Sequence, residues 1–276
     1  MAKSAPHLKY SMLALSARQM ERQQSAKSQS ESLSLYQEAI HLLLPELENK
    51  TTPVIASCVI LCVLEMLSCN PKEWRRHLDG CAYLIQAAEI NGFSGKEEQA
   101  LFWCFARMDV CGGLISEEET IIPIHNWTPT GMSAHEASQM FLASRADFDT
   151  YANYTVYLCA QTLGVLCGSG SKEHHPSCLS CRYLEGETYV DRWKGLFDRV
   201  EEWCVERPSQ MRVVCSVNGK GESPFPTVIY GNGAASMSLL QRLVCVGCWL
   251  MAWQSRGINC ITLLHCCCYN GSPRRF

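Results

Sequence analysis

Charge is scarce in this chain: Asp, Glu, Lys and Arg make up 18% of its 276 residues, and 27 acidic against 24 basic side chains leave a net charge of -3. With 47% hydrophobic residues, this excludes a self-repelling disordered polymer, which combines low hydrophobicity with high net charge. A basic excess is also missing, and apart from short pairs such as Arg274-Arg275 the Lys and Arg residues form no stripe. A module that lives on phosphate contacts is therefore not expected, and neither is direct nucleic-acid binding. Long apolar runs are absent too. Val54 to Leu64, closed by Glu65, and Leu243 to Trp253 fall short of the roughly 18 residues a bilayer helix needs. Both read as buried helices, and no membrane contact is expected. Met1 to Arg18 lacks the basic start and apolar core of a secretory leader.

Cysteine, by contrast, is abundant, with 18 residues. Without a leader, a disulfide framework is not the expected use. The cysteines lie in stretches such as Cys58-Val59-Ile60-Leu61-Cys62, where a reduced thiol serves as a small hydrophobe.

Apolar side chains recur at three- and four-residue steps over most of the chain, which predicts an all-α, irregular multi-helix bundle. One helix carries Leu33, Tyr36, Ile40, Leu43, Leu44 and Leu47, with a capping-box pair at Ser28 and Glu31 and a stop at Pro45. A second opens at Thr52-Pro53 and runs to about Ser68. The third opens at Asn70-Pro71, with Glu73 completing the cap, and Asn91-Gly92 stops it. Its stripe is Trp74, His77, Leu78, Cys81, Leu84, Ile85 and Ala88, which makes His77 a core histidine. A fourth spans about Lys96 to Ile115, with Leu101, Phe105, Met108, Gly112 and Ile115 on one side. Residues 116–149 read as a long loop with at most a short helix, since Glu117-Glu118-Glu119, Pro123, Pro129 and Gly131 break the period. Helix resumes from about Thr150 to Leu166, and Gly168-Ser169-Gly170-Ser171 with Pro176 marks a linker. A helix with Tyr189, Trp193, Leu196, Phe197, Val200, Trp203 and Cys204 ends before Pro208. Residues 211–236 read as partly extended, with strands at Arg212 to Val217 and Thr227 to Tyr230, and a last apolar helix covers Ser238 to Trp253.

No catalytic constellation stands out. His135-Glu136 begins a two-histidine zinc motif, but Gln139 occupies the position of the second imidazole. Gly231-x-Gly233 begins a dinucleotide fingerprint, but Ser236 replaces its third glycine. Asp147-Phe148-Asp149 holds only two carboxylates, too few for a magnesium cluster. His174, His175, Cys178 and Cys181 crowd into one short segment, whereas a structural zinc site normally takes two ligand pairs held apart by folded chain. Cys245 and Cys248 sit in an apolar helix and read as packing. Arg107 and Asp109 are two apart on their helix, so they point different ways and find separate partners. They read as packing specifiers, not as an acid/base pair. No catalytic, cofactor-binding or metal-binding residue is assigned, and no cofactor is expected.

The order of motifs carries more than any one of them. Tyr36-x-x-Ala39-Ile40-x-Leu42-Leu43 precedes Leu61-Cys62-Val63-Leu64-Glu65-Met66-Leu67. Trp74-x-x-His77-x-x-Gly80 follows, then Phe102-Trp103-x-x-x-Arg107-x-Asp109-Val110, the glutamate turn and Trp127. Over roughly residues 8–236 this succession resembles the fungal-specific transcription factor domain, the regulatory region of fungal binuclear zinc-cluster transcription factors. It looks closest to the arginine-catabolism-regulator-like branch; Pro224-Phe225-Pro226-x-x-x-Tyr230-Gly231-Asn232-Gly233 is similar to a segment of the same branch. The resemblance implies a nuclear, non-catalytic, helical regulator. It would act through protein partners, self-association or a small-molecule effector held between helices. The loop with Trp127 and Glu117-Glu118-Glu119 is a candidate contact surface, set against the alternative that Trp127 is tucked onto the core.

The family's zinc-cluster head uses Cys-x2-Cys-x6-Cys runs, and here Thr188 and Ser255 stand where a third cysteine would follow Cys181 and Cys248. The expectation is therefore a regulatory domain over residues 1–236, truncated and without its own DNA-binding head. A standalone interaction protein that competes with full-length relatives is the alternative, and an unrecognised enzyme a third. Residues 237–276 diverge: Cys245 to Phe276 holds six cysteines, ending in Cys266-Cys267-Cys268 without helical logic. The expectation is that this end reflects an altered reading frame or a retained intron. Transcript sequencing across residues 237–276 is expected to show a splice or frame change, and one continuous exon would defeat the idea.

Overall fold

The computed structural model describes residues 2–23, 30–144, 147–167, 189–217 and 227–231. Among them the fold is an all-α assembly of many helices with one small β-ribbon. Helix α1 (Pro6–Gln23) lies against α2 (Ser30–Leu43), and a 3-10 turn, Leu44–Asn49, follows. Pro45 has no amide hydrogen to continue the α ladder, so the chain tightens there and then reverses through Lys50, whose φ is 47°. Helix α3 (Thr52–Met66) starts with Thr51 as its cap, one residue before the position expected from Thr52-Pro53, and no side-chain bond closes that end. Helix α4 (Pro71–Ala87) is capped as its sequence predicts, the Glu73 amide donating to Asn70 Oδ1 at 3.1 Å. Helix α5 runs over Lys96–Ser116.

Helix α1 is not apparent from hydrophobic periodicity, and its packing shows why. Its inward face is built from His7, Leu8, Ser11, Ala14 and Ala17, while Met12, Leu13 and Met20 are exposed. Small inward residues let α1 approach α2, where Ala39 is fully buried. Polar groups complete the contact. The Ser32 amide and hydroxyl of α2 both donate to the Glu21 carboxylate, at 3.0 and 2.6 Å. His7 Nδ1 meets Ser57 Oγ of α3 at 2.8 Å.

The main core gathers around α5. Phe102, Trp103, Phe105, Ala106, Met108 and Val110 are buried, a wider face than the expected stripe, and Ile115 lies outside it at 56% exposure. Beyond α5 come a 3-10 turn (Ile124–Trp127), α6 (Ala134–Ala143) and α7 (Phe148–Cys167). The region 116–149 thus contains a ten-residue helix as well as loop. Ser133 and Glu136 form the reciprocal capping box that starts α6. Trp127 is buried, which settles the alternatives for it: its ring meets Phe102 and Trp103 edge-on at 5.5 and 5.9 Å. Gly92 lies so close to this nest that a Cβ there would sit 2.6 Å from the Trp103 ring. The absence of a side chain lets the Gly92 carbonyl accept from Trp103 Nε1, and its amide donate to the Trp127 carbonyl, both at 2.9 Å.

Helix α8 (Tyr189–Val205) buries Leu196, Val200 and Trp203, while Phe197 is 37% exposed. Trp203 and Tyr151 of α7 exchange bonds: the tyrosine hydroxyl donates to the Trp203 carbonyl at 2.8 Å, and the indole donates to the Tyr151 carbonyl at 3.3 Å. A short 3-10 turn (Ser209–Met211) leads into β1 (Val213–Val217). This strand pairs antiparallel with β2 (Thr227–Tyr230), with a bulge between Val213 and Cys215. Both strands match the segments expected from sequence. The linker at 168–171, the cysteine–histidine segment 174–181 and all of 237–276 lie outside the described residues.

Arg107 and Asp109 find separate partners, as their spacing requires. Arg107 donates to the Trp103 carbonyl at 2.7 Å and to Asn153 Oδ1 at 2.6 Å. Asp109, fully buried, accepts from the amides of Ile121 and Ile122 at 2.8 and 3.1 Å. Burial pushes its carboxyl up to about 6, against the pull of those two amides. A carboxylate raised in the fold favours the folded state while protonated, so its contribution is full below the ordinary value near 3.8 and is lost as pH rises through about 6. Relative to Asp109→Asn, wild-type unfolding free energy should therefore fall by about 3 kcal/mol between pH 3 and pH 7. Urea titrations of both proteins across that range check it; a pH-independent difference would contradict the raised value.

Candidate functional site

The described residues enclose a cavity of about 760 Å³ between α2, the turn at Leu44–Asn49, α3 and α4. This volume is in the range of small-molecule sites, about 300–1,000 Å³. Its walls are faces of α2, α3 and α4 together with the 3-10 turn that contains Pro45. The floor is buried and mostly apolar: Leu43, Leu61, Cys62, Cys81 and Leu84. The mouth is exposed, with Leu44, Tyr83 and Lys50. Lys50 Nζ stands 6.0 Å from the centre of the Tyr83 ring, at the outer limit of a cation–π contact.

One charge reaches the floor. Thr52–Met66 contains a single charged residue, Glu65, and that residue is 7% exposed. Its Oε1 accepts from the Tyr36 hydroxyl at 2.6 Å, and its Oε2 lies 3.2 Å from His77 Nδ1. Burial and the Glu65 bond push the Tyr36 phenol well up, so it stays a donor at neutral pH. Burial also raises Cys58 to about 12. The Cys81 thiol is raised by its bond with Cys62 and by burial. So raised, both line the wall at neutral pH as neutral thiols, which are unreactive because thiolate is the nucleophile.

His77 is thus not the core histidine the stripe implies. Its side chain is 51% exposed, because the position turns off the apolar face toward the carboxylate of Glu65. The other sequence candidates do not converge. His135 is exposed on α6, and Glu136 beside it serves the capping box. Asp147 caps α7, accepting from the Asp149 amide and from the Thr150 hydroxyl. Trp127 is buried and Glu118 is held by Arg75 at 3.0 Å, which removes Trp127 from the contact surface considered for 116–149. No group of three or more metal-ligating side chains is assembled among the described residues. Tyr36, Glu65 and Gly80 were visible as motif positions but not as a site. The available signal was Glu65 itself, a lone carboxylate in an apolar helix.

Gly80 lines the cavity, and a Cβ built on it meets nothing within 4 Å. Gly80→Ala should therefore stabilise the protein by about 0.5–1 kcal/mol, the helix-interior cost of glycine. Gly80→Phe should fill the cavity and cut the fluorescence of added Nile red several-fold relative to wild type. Thermal melts and dye titration check the pair; undiminished dye uptake by the phenylalanine variant would show that the dye sits elsewhere.

Among known protein families, the fungal specific transcription factor domain matches residues 1–153, more than half of the chain. All the residues that line the cavity fall inside that span. No curated protein matches the chain, and neither does any solved structure.

Proposed function

Because the chain belongs to the fungal-specific transcription factor domain family, a family of transcription regulators, we propose that its helical body responds to a small-molecule effector held between α2, α3 and α4. It acts in the nucleus, where such regulators work, and passes its response on through protein contact, without catalysis. The observation that carries the reading is the cavity: ligand-sized, apolar, floored by one buried carboxylate and lying within the family-matched residues. Pocket walls drawn from successive helices give an occupant a means of acting, since binding shifts an equilibrium only by its preference for one arrangement of those helices.

The chain itself needs no grip on DNA in this reading. A net charge of -3 is not the balance of a phosphate-binding surface, and neither Cys-x-x-Cys pair continues into the zinc-cluster spacing. Full-length relatives, or a partner that binds DNA, would bring it to its target genes.

Tethering supplies the test. Fused to an unrelated DNA-binding domain in a fungal host, the chain is expected to raise or lower a reporter several-fold, and Gly80→Phe in the same fusion is expected to lock that output. A reporter indifferent to the fused chain would refute the regulatory reading. The purified chain alone is expected to leave a duplex oligonucleotide unshifted at physiological salt.

A further inference from the structure

We propose that the cavity takes an organic amine with an apolar body, its ammonium seated on the carboxylate of Glu65. The inference rests on the effector reading and names the chemistry of the occupant. Glu65 is an incompletely partnered buried anion. A carboxylate offers about four acceptor positions, yet here one bond is made, from the Tyr36 hydroxyl to Oε1 at 2.6 Å. Oε2 is closed off from solvent and has no hydrogen-bond partner; His77 Nδ1 faces it at 3.2 Å, an ion pair only when the imidazole is protonated. Taking a carboxylate out of water with one neutral donor is unfavourable unless a cation faces it.

Of the other lining groups only His77 can face it with a positive charge, and only while its imidazole is protonated. Lys50 is exposed and stands over the Tyr83 ring, and Glu48 is exposed as well, so water and salt screen both. The buried part of the site is therefore negative, which disfavours a carboxylate-bearing occupant. A neutral alcohol could donate a hydrogen bond there but brings no counter-charge. An ammonium brings both, and charge-assisted bonds are roughly twice as strong as neutral ones. Leu43, Leu61 and Leu84 offer a buried apolar wall for the rest of the molecule. The half-exposed His77 side chain has room to turn outward as the ammonium takes its place beside Oε2.

Three probes share one apolar body: 4-phenylbutylamine, 4-phenylbutanol and 4-phenylbutyrate. Calorimetric titration of the whole chain is expected to find the amine at least tenfold tighter than the alcohol, with the carboxylate weakest. Glu65→Gln keeps an acceptor for Tyr36 and removes the charge. It should bring the amine down to the affinity of the alcohol while leaving the alcohol unchanged, which also reports that the variant is folded. Equal affinity of amine and alcohol, a tighter carboxylate, or an amine preference that survives Glu65→Gln overturns the proposal and leaves the effector reading standing. Failure of all three probes to bind overturns both.

Discussion

The carboxylate of Asp109 holds the architecture in register. It sits in the middle of α5 with no exposure and gathers the amides of Ile121 and Ile122, the first residues after the helix that turn back toward the core. Fixing those two amides places the Ile122 carbonyl where both Trp127 Nε1 and the Thr120 hydroxyl donate to it, at 3.0 and 2.9 Å. Trp127 can then complete the aromatic nest with Phe102, Trp103, Phe141 and Tyr157. Arg75 of α4 clamps the same return from outside, bonding Glu118 at 3.0 Å and the Glu119 carbonyl at 2.9 Å. A loop broken by prolines and charges thereby becomes part of the interior. Several of its backbone groups, among them the amides of Ile121 and Ile122 and the carbonyls of Glu119 and Ile122, are satisfied by side chains.

How much of this was legible in the sequence follows from what each contact is made of. Helices α4, α5 and α8 announce themselves because large apolar residues repeat on one face, α3 by its continuous apolar run behind Thr52-Pro53, and α5 begins and ends within a residue of its expected bounds. Helix α1 does not, because its buried face is serine and alanine and its large residues point outward. Helix α6 hid behind a different reading of the same letters. His135-Glu136 attracts attention as half of a zinc motif, while the signal that matters is Ser133 with Glu136, a cap that starts the helix.

The cavity was the hardest feature to foresee, since it is a product of what is missing between elements. Its floor residues belong to stripes on α2, α3 and α4 that any packed bundle would show. The sequence holds no sign that α2, the turn at Leu44–Asn49, α3 and α4 would meet so as to leave about 760 Å³ open. His77 illustrates the same limit. Spacing puts it on the apolar side of α4 next to Trp74; the fold turns it to the carboxylate of Glu65, with half of its surface in water. Helical periodicity resolves faces to within a broad arc, and a residue on the edge of that arc is decided by its neighbours.

The exchange between Tyr151 and Trp203 has a mechanical consequence. Each residue donates to the other's main-chain carbonyl, and the rings stack with centres 5.9 Å apart, so the two bonds depend on one relative position of α7 and α8. Sliding α8 by a single residue would forfeit both together, with no halfway arrangement that keeps either. The contact is a latch and not a bearing: α8 stays engaged or lets go whole.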